Sequence, residues 1–246
     1  MSRTRRGRPC DPWMHKMEIV YDQHEKHFVA LDCIIFGFDQ QELQLLLIKR
    51  GFEPERGKWS LMGGFLKNDE SVDEGAERIL ETLTGLTGVY MEQLYAYGKV
   101  RRDPVARTLS IAYYALIRTD QYNKDLADSH NAKWFPVSQK PDLIFDHNDM
   151  VEKALVRLRR RARTQPIGFE LLPEKFTIPQ LRSLYEAINN QPLDHRNFSK
   201  RLNSMEWLVK LNEKDKTTSR KGAFYYQFDP NIYQKLVQEG SSFDLK

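Results

Sequence analysis

A glycine-rich stretch with charged and small residues at fixed distances behind it most constrains how this chain can fold. Residues 57–64 read Gly-Lys-Trp-Ser-Leu-Met-Gly-Gly, and the fixed positions behind them are Glu70, Arg78, Gly85 and Leu86. Asp69 or Ser71 can cap a helix that begins near Glu70, because a short polar side chain satisfies the free amides of a first turn. Gly85 can end that helix. The stretch therefore predicts a strand, then a pair of glycines whose backbone can be approached closely, and then a helix.

Apolar segments rich in Val, Ile and Phe surround this stretch and read as strands. They cover residues 27–38, which Asp32 interrupts, and residues 43–50, 59–65, 94–100, 108–117 and 132–137. Residues 147–162 repeat apolar side chains at helical spacing, which predicts a helix.

The glycine-rich stretch resembles the signature of the Nudix family, with Met62 where proline is common and with Glu70, Arg78, Gly85 and Leu86 in register. The resemblance covers about residues 27–160 and implies an α/β/α sandwich. It also implies that Glu70 and Arg78 form a buried structural pair.

The chain departs from that signature at three positions of the helix. Active members present carboxylates there, spaced i, i+3 and i+4 so that they share one face. The three positions here hold Ile79, Thr82 and Leu83. Because Mg²⁺ prefers carboxylate and other oxygen ligands, we expect no metal site, no catalytic residue, no resident cofactor and no hydrolase activity.

An alternative remains open, because Glu74, Glu77 and Glu81 also share a helix face. They could form a displaced metal site in a hydrolase of nucleoside diphosphate derivatives, or they could simply be the solvated face of the helix. A pocket without metal can still bind a small effector. The candidate effector-binding residues are Lys49, Arg50, Phe52, Gly64, Phe65, Arg101 and Arg107.

The last third of the chain shows a second pattern. Thr177 can cap a helix that ends near Asn189, and Asp194 can cap another that ends near Ser204. Strands over 207–211 and 223–228 follow, separated by a charged loop, and residues 230–239 read as a last helix. This order predicts a winged helix-turn-helix. We therefore expect four parts: a basic tail (1–16), an α/β domain (17–163), a linker (164–175) and a winged helix domain (176–246).

Basic and hydroxyl side chains concentrate where a winged helix meets DNA, in its second helix and its wing. The second helix offers His195, Arg196, Asn197, Ser199, Lys200 and Arg201, and the wing offers Lys216, Thr217, Thr218, Ser219, Arg220 and Lys221. Residues 196–221 hold 8 basic and 3 acidic residues, a local net charge of +5. DNA binding is the favoured interpretation, and a winged helix that contacts protein is the alternative.

Charge is also divided between the two halves, with a net −7 over residues 11–150 and +7 over residues 151–246. An acidic half joined to a basic half is typical of a sensor joined to a polyanion binder. The tail holds Arg3, Arg5, Arg6 and Arg8, which could touch phosphate or simply be disordered. The spacing of Cys10 and Cys33 matches no metal or redox motif, and no apolar run is long enough to cross a membrane. A reduced, cytoplasmic protein is expected.

Residues 171–177 and 193–198, with the helix between them, resemble the winged helix of the Nudix-related transcriptional regulators, the NrtR-type family. That resemblance implies a homodimer on double-stranded DNA with a palindromic operator, and a small effector that weakens DNA binding. One branch of the family senses ADP-ribose in NAD metabolism, and another, AraR-type branch senses a sugar such as L-arabinose. The lost carboxylates favour the arabinose-responsive branch, which implies a repressor of sugar utilisation.

Overall fold

The computed structural model describes residues 23–121, 124–205, 207–217 and 221–239. The basic tail, Cys10 and part of the wing (Thr218, Ser219 and Arg220) lie outside these ranges. The first unit contains strands β1 (Phe28–Phe38), β2 (Leu43–Lys49), β3 (Trp59–Ser60), β4 (Met62–Phe65), β5 (Tyr90–Tyr97), β6 (Thr108–Leu116) and β7 (Ala132–Pro136). Its helices are α1 (Val72–Thr84), α2 (Lys124–Ser129) and α3 (His147–Thr164).

The seven strands form one sheet with β1 at its centre. The main path runs β3-β2-β1-β6-β5, while β4 pairs with β1 and β7 pairs with β2. Side chains alternate along β1, so that Leu31, Cys33 and Ile35 pack with α1 while Ile34 and Phe36 pack with α3. A helix therefore covers each face of the sheet, and the predicted α/β/α sandwich is confirmed.

The second unit contains strand β8 (Phe176–Thr177), helices α4 (Ile178–Asn189) and α5 (His195–Asn203), strands β9 (Leu208–Asp215) and β10 (Ala223–Phe228), and helix α6 (Pro230–Gln238). Thr177 and Gln180 form a reciprocal capping box at the start of α4. At the start of α5, the carboxylate of Asp194 accepts a hydrogen bond from the backbone amide of Asn197 at 2.8 Å. The strands pair in the order β8-β10-β9. The predicted winged helix-turn-helix is confirmed.

Two strands extend beyond their predicted bounds, because polar side chains interrupt the apolar pattern from which strands were predicted. β5 begins at Tyr90, not near Leu94, and its Glu92 is a polar anchor that accepts hydrogen bonds from Tyr114 and from Arg157 of α3. β9 continues past Leu211 to Asp215, because its polar end pairs with β10 at the solvent-facing wing. Neither α2 nor β8 was expected from the sequence.

Residues 164–175, interpreted from the sequence as a linker, are packed against the winged helix. Ile167, Leu171 and Leu172 are buried, and the Tyr185 hydroxyl donates a hydrogen bond to the Ile167 carbonyl oxygen at 3.3 Å. The Phe169 ring stacks on Phe228 with centroids 4.7 Å apart. The segment is therefore a structural part of the C-terminal unit and not a loose tether.

Helix α3 joins the two units. Its Leu155 and Leu158 belong to the same continuous apolar cluster as Leu184 and Ile188 of α4. The guanidinium Nε of Arg159 donates a hydrogen bond to the carbonyl oxygen of Ile188 at 2.9 Å. Within the described ranges, no helix combines the length and the apolar character needed to cross a membrane.

Candidate effector cleft and nucleic-acid interface

A cleft of about 440 Å³ opens on the α/β unit beside β1, β2 and β4. Five of the candidate effector-binding residues line it: Lys49, Arg50, Phe52, Gly64 and Phe65. Lys49 is the last residue of β2 and Arg50 follows it, whereas Gly64 and Phe65 belong to β4. The local fold thus brings residues from separate parts of the sequence to one opening.

The other two candidates, Arg101 and Arg107, do not line the cleft. Arg101 is exposed, and Arg107 donates hydrogen bonds to the carbonyl oxygens of Gly98 at 3.0 Å and Lys99 at 3.2 Å. These bonds close the loop between β5 and β6. The arginine that enters the cleft is Arg102, which belongs to the same loop but was not singled out as a candidate.

Arg102 anchors a buried ionic network at the floor of the cleft. Its guanidinium donates two hydrogen bonds to the Asp146 carboxylate, at 2.7 and 3.0 Å, and lies 3.4 Å from Asp32. Burial alone would lower the pKa of Arg102, but the hydrogen bond to Asp146 and the charge of Asp32 raise it. Ser110 also donates a hydrogen bond to Asp32. These hydrogen bonds and ion pairs offset the free-energy cost of removing the charged groups from water.

Asp32 explains one glycine of the motif. A β-carbon added at Gly63 would lie 2.5 Å from the Asp32 Oδ1 atom and 2.8 Å from the Leu31 carbonyl oxygen. Only glycine allows the carboxylate to lie against the backbone of β4 in this way. The signal for this site was present in the sequence, because Asp32 is the single charged residue within an apolar strand.

His147 stands at the first position of α3 and is buried beside the same network. Its Nδ1 atom accepts a hydrogen bond from the backbone amide of Leu61 at 3.2 Å, and its Nε2 atom lies 3.7 Å from Asp32. Burial lowers the pKa of His147, although Asp32 opposes that shift. The imidazole is therefore neutral near pH 7, with its proton directed to the Asp32 side.

An arginine stacked on aromatic rings forms one side of the cleft mouth. The Arg50 guanidinium lies 4.0 Å from the ring centroid of Phe52 and 5.6 Å from that of Phe145. It also donates a hydrogen bond to the Pro54 carbonyl oxygen at 2.6 Å. Phe52 itself is 64% exposed. This side of the mouth combines a fixed positive charge with an exposed flat ring.

The three helix positions where active Nudix members carry carboxylates present no such group. Ile79 is buried, Thr82 is exposed and Leu83 lines the cleft. Two hydrocarbons and a hydroxyl do not fit the oxygen-rich coordination that Mg²⁺ requires. Among the residues whose placement is described, no three His, Cys, Asp or Glu side chains converge as metal ligands.

The alternative set of glutamates is placed differently. The Glu74 carboxylate accepts a hydrogen bond from the Ser71 amide at 2.7 Å, and the Glu74 amide donates the return bond of the capping box to the Ser71 hydroxyl at 3.2 Å. The carboxylate therefore closes the start of the helix. Glu77 and Glu81 are exposed. The structure therefore assigns Glu74 a capping role that the displaced-site interpretation did not include.

Glu70 and Arg78 form the expected structural pair. Arg78 donates two hydrogen bonds to the Glu70 carboxylate, at 2.5 and 2.7 Å, and a third to the Phe65 carbonyl oxygen at 3.1 Å. The Lys67 amide also donates to Glu70 at 2.8 Å. The hydrogen bond from Arg78 lowers the pKa of Glu70 to about 2. The pair fixes the turn between β4 and α1, although Arg78 is only partly buried.

The second site is the outer face of α5. The exposed candidates on it are His195, Arg196, Asn197, Lys200 and Arg201, whereas Ser199 is half-buried. Phe198 and Leu202 point inward and are almost completely buried. The helix is thus held on the core by one apolar edge while its basic edge faces solvent.

The wing between β9 and β10 adds further cations to the same unit. Lys216, Thr217 and Lys221 are exposed, and the Thr217 hydroxyl is already bonded to Asp215 at 2.6 Å. Two further lysines, Lys210 and Lys214, lie 3.8 and 4.4 Å from the ring centroid of Phe224. The aromatic ring holds both ammonium groups on one strand pair.

Comparisons with known proteins agree with this architecture. Residues 26–154 match the family model of the NUDIX domain, and residues 168–228 match that of the NrtR DNA-binding winged helix domain. The ADPR responsive transcriptional repressor NtrR of Acinetobacter baylyi is 32% identical over 204 residues, which are 81% of each chain.

Solved structures resemble the whole chain and its first unit. NrtR of Shewanella oneidensis complexed with a 27mer DNA is 29% identical, with a TM-score of 0.76 over 89% of this chain and 99% of that one. The NUDIX domain of the same protein complexed with ADP ribose is 28% identical, with a TM-score of 0.52 over 61% and 99%. The chain therefore belongs to the NrtR-type family of regulators, in which a Nudix domain is followed by a DNA-binding winged helix domain.

Proposed function

We propose that this chain is a transcriptional repressor that binds DNA through α5 and the wing and is controlled by a small effector in the Nudix cleft. The observation that carries the proposal is the geometry of α5. Its basic edge is exposed while Phe198 and Leu202 fix its opposite edge to the core. A helix held in this way can enter the major groove with its N-terminal residues against base edges.

Two kinds of contact are assigned to this surface. Arg196 and Lys200 are suited to guanine acceptors, and Asn197 to adenine. The lysines of the wing are suited to phosphate, where they add affinity without selecting a sequence. As in the family, we propose a homodimer that reads a palindromic operator, because two copies of α5 would then meet two half-sites.

ADP-ribose is the effector that the relatives favour. Of those reported above, the Acinetobacter repressor and the Shewanella co-crystal carry this ligand in their names, and none of them names L-arabinose. The preference for the arabinose branch, with its role in sugar utilisation, is therefore not supported. The cleft is compatible with a diphosphate, since Lys49 and Arg50 stand at its lining and Arg102 at its floor.

The Nudix unit is proposed to bind its ligand without hydrolysing it. Ile79, Thr82 and Leu83 supply no carboxylate at the positions where active members hold metal, and Glu74 is engaged as a helix cap. The structural pair Glu70–Arg78 is retained. The unit therefore keeps the Nudix fold but lacks the carboxylates that bind Mg²⁺ in active members.

DNA binding is tested with a duplex that the wild-type chain selects from randomised DNA. Arg196→Ala and Lys200→Ala should each weaken binding by roughly 5-fold to 150-fold, because a bidentate base contact is worth about 1–3 kcal/mol. Lys153→Ala is the matched control, since Lys153 is an exposed cation on α3 paired with Asp149 at 2.9 Å. Equal affinities for all four proteins would overturn the proposed DNA surface.

The effector is tested by thermal shift, because a ligand that binds the native state raises its melting temperature. ADP-ribose should raise the melting temperature and weaken binding to the selected duplex. L-Arabinose is the comparison ligand. If L-arabinose raised the melting temperature and ADP-ribose did not, the protein would instead respond to the sugar, as the arabinose branch does.

A further inference from the structure

The start of helix α3 has an unusual backbone and an unusual cap. Phe145, two residues before the first helical residue, has a φ of 50°, in the left-handed region that side-chain-bearing residues seldom adopt. Asp146 stands at the capping position but makes no side-chain bond to the amides of its own helix. Its carboxylate instead accepts two hydrogen bonds from Arg102. A residue type well suited to capping is thus held away from the helix that it precedes.

Three groups at this point face the effector cleft. Arg102, Phe145 and His147 line it, whereas Asp146 does not. A ligand at the cleft floor therefore meets both neighbours of Asp146 in the chain. It reaches Asp146 itself only through the guanidinium of Arg102.

The other end of α3 contacts the DNA-binding unit. The helix has 18 residues and is therefore about 27 Å long. From the middle of the helix onward, Leu155 and Leu158 share an apolar cluster with α4, and Arg159 donates a hydrogen bond to the Ile188 carbonyl oxygen at 2.9 Å. Ile188 lies in the last turn of α4, directly before the turn that leads to α5.

We propose that the Arg102–Asp146 pair is a positioning device that couples the effector cleft, through α3 and α4, to the DNA-binding helix α5. In this structure, the pair holds the start of α3 and, through that helix, the placement of the winged helix. An effector whose phosphate or hydroxyl oxygens draw Arg102 away frees Asp146 to cap α3, and the rigid helix carries the change to α4. The effector then shifts the protein towards a second arrangement of the winged helix. The size of this shift is set by how much more tightly the effector binds the second arrangement than the first. The effector and DNA parts of this inference rest on the proposed function, whereas the coupling of Asp146 to α4 does not.

Asp146→Asn tests the near end of the helix. Asparagine keeps the shape and can cap, but it lacks the charge that holds Arg102. Without effector, we expect Asp146→Asn to weaken binding to the selected duplex at least roughly fivefold, the lower end of allosteric coupling. ADP-ribose should then weaken it less than in the wild type, while its affinity for the DNA-free protein is not reduced. Asp149→Asn, one turn along and paired with Lys153, removes the same charge and should leave both values unchanged.

Arg159→Ala tests the far end and decides the matter if Asp146→Asn does not fold. It removes the bond to Ile188 without touching the cleft, so ADP-ribose should bind as before while its effect on DNA affinity falls. Arg163→Ala, at an exposed arginine of the same helix, is the control. An unchanged effect of ADP-ribose in both Asp146→Asn and Arg159→Ala would overturn the inference.

A measurement without DNA or effector separates this inference from the proposed function. Asp146→Asn should increase amide hydrogen exchange in α4, residues 178–189, relative to Asp149→Asn. If the wild type selects no duplex or ignores ADP-ribose, the proposed function fails, but this exchange difference still tests the coupling. If exchange in α4 is the same in the two variants, the coupling fails whatever the protein binds.

Discussion

Ile79 of α1 packs so closely on Gly64 of β4 that a β-carbon at Gly64 would lie 3.3 Å from the Ile79 Cδ1 atom. The contact places a hydrocarbon at a position where active Nudix members carry a carboxylate. Ile79 is only 3% exposed, so a charge there would also be costly to bury. The helix has become part of the packing beneath the cleft.

This contact predicts that the chain does not hydrolyse ADP-ribose in the presence of Mg²⁺. Without carboxylate ligands, no ion is held to offset the charge of the diphosphate or to activate water. Chromatography of the reaction mixture should show the same background in the wild type and in Glu77→Gln. The opposite result, Mg²⁺-dependent turnover that Glu77→Gln abolishes and the control Glu152→Gln on α3 retains, would establish a displaced metal site.

The Glu70–Arg78 pair predicts an unusually acidic carboxyl group. The pKa of Glu70 is about 2, against an ordinary value of 4.5, so its contribution to stability is complete above pH 4.5 and is lost as the pH falls towards 2. In Arg78→Met, the main cause of the shift is absent, and the pKa of Glu70 should rise towards 4.5. Carboxyl NMR titration measures this directly. Lys58→Met, which removes an exposed pair with Glu55, should leave the Glu70 titration in place.

Elements with a clear periodic pattern could be predicted from the sequence, and so could their caps. Thr177 and Asp194 cap α4 and α5 because capping depends on neighbours three residues away. The exposed edge of α5 followed from the inward positions of Phe198 and Leu202. These features are local, which is why they can be read without a structure.

The cleft floor could be predicted only in part, because it depends on contacts between distant residues. Arg102 meets Asp146 from 44 positions away, and Ser110 meets Asp32 from 78. The sequence made Arg101 and Arg107 candidates, but it did not show which arginine of residues 101–107 turns inward. The buried carboxylates of Asp32 and Asp146 determine it, because they form hydrogen bonds with the guanidinium of Arg102, whereas Arg101 stays exposed to solvent.

Substitutions at Phe198 and Arg196 should have separate effects, the first on the stability of the fold and the second on DNA binding. Phe198→Ala removes a ring that is 4% exposed and lies 6.0 Å from the Tyr185 ring, so the free energy of unfolding should fall by about 3–5 kcal/mol. Arg196→Ala, two residues earlier and exposed, should change stability by less than about 0.5 kcal/mol while weakening DNA binding. Urea unfolding and duplex titration of both variants provide the comparison. A large loss of stability in Arg196→Ala would mean that this side chain supports the fold and does not read bases.

His147 predicts a loss of stability on mild acidification. Burial lowers its pKa below 6.5 in the folded protein, so below pH 6.5 the unfolded chain takes up a proton that the folded chain excludes. The free energy of unfolding should therefore fall as the pH drops from 6.5 towards the lower folded value, and this contribution should be complete above 6.5. His147→Asn can still accept the Leu61 amide bond but does not titrate. Urea unfolding at several pH values should thus show the wild type losing stability faster than His147→Asn, with the exposed His195→Asn as the control. Parallel curves for the wild type and His147→Asn would mean that burial and the Asp32 charge cancel, so that folding does not shift the pKa of His147.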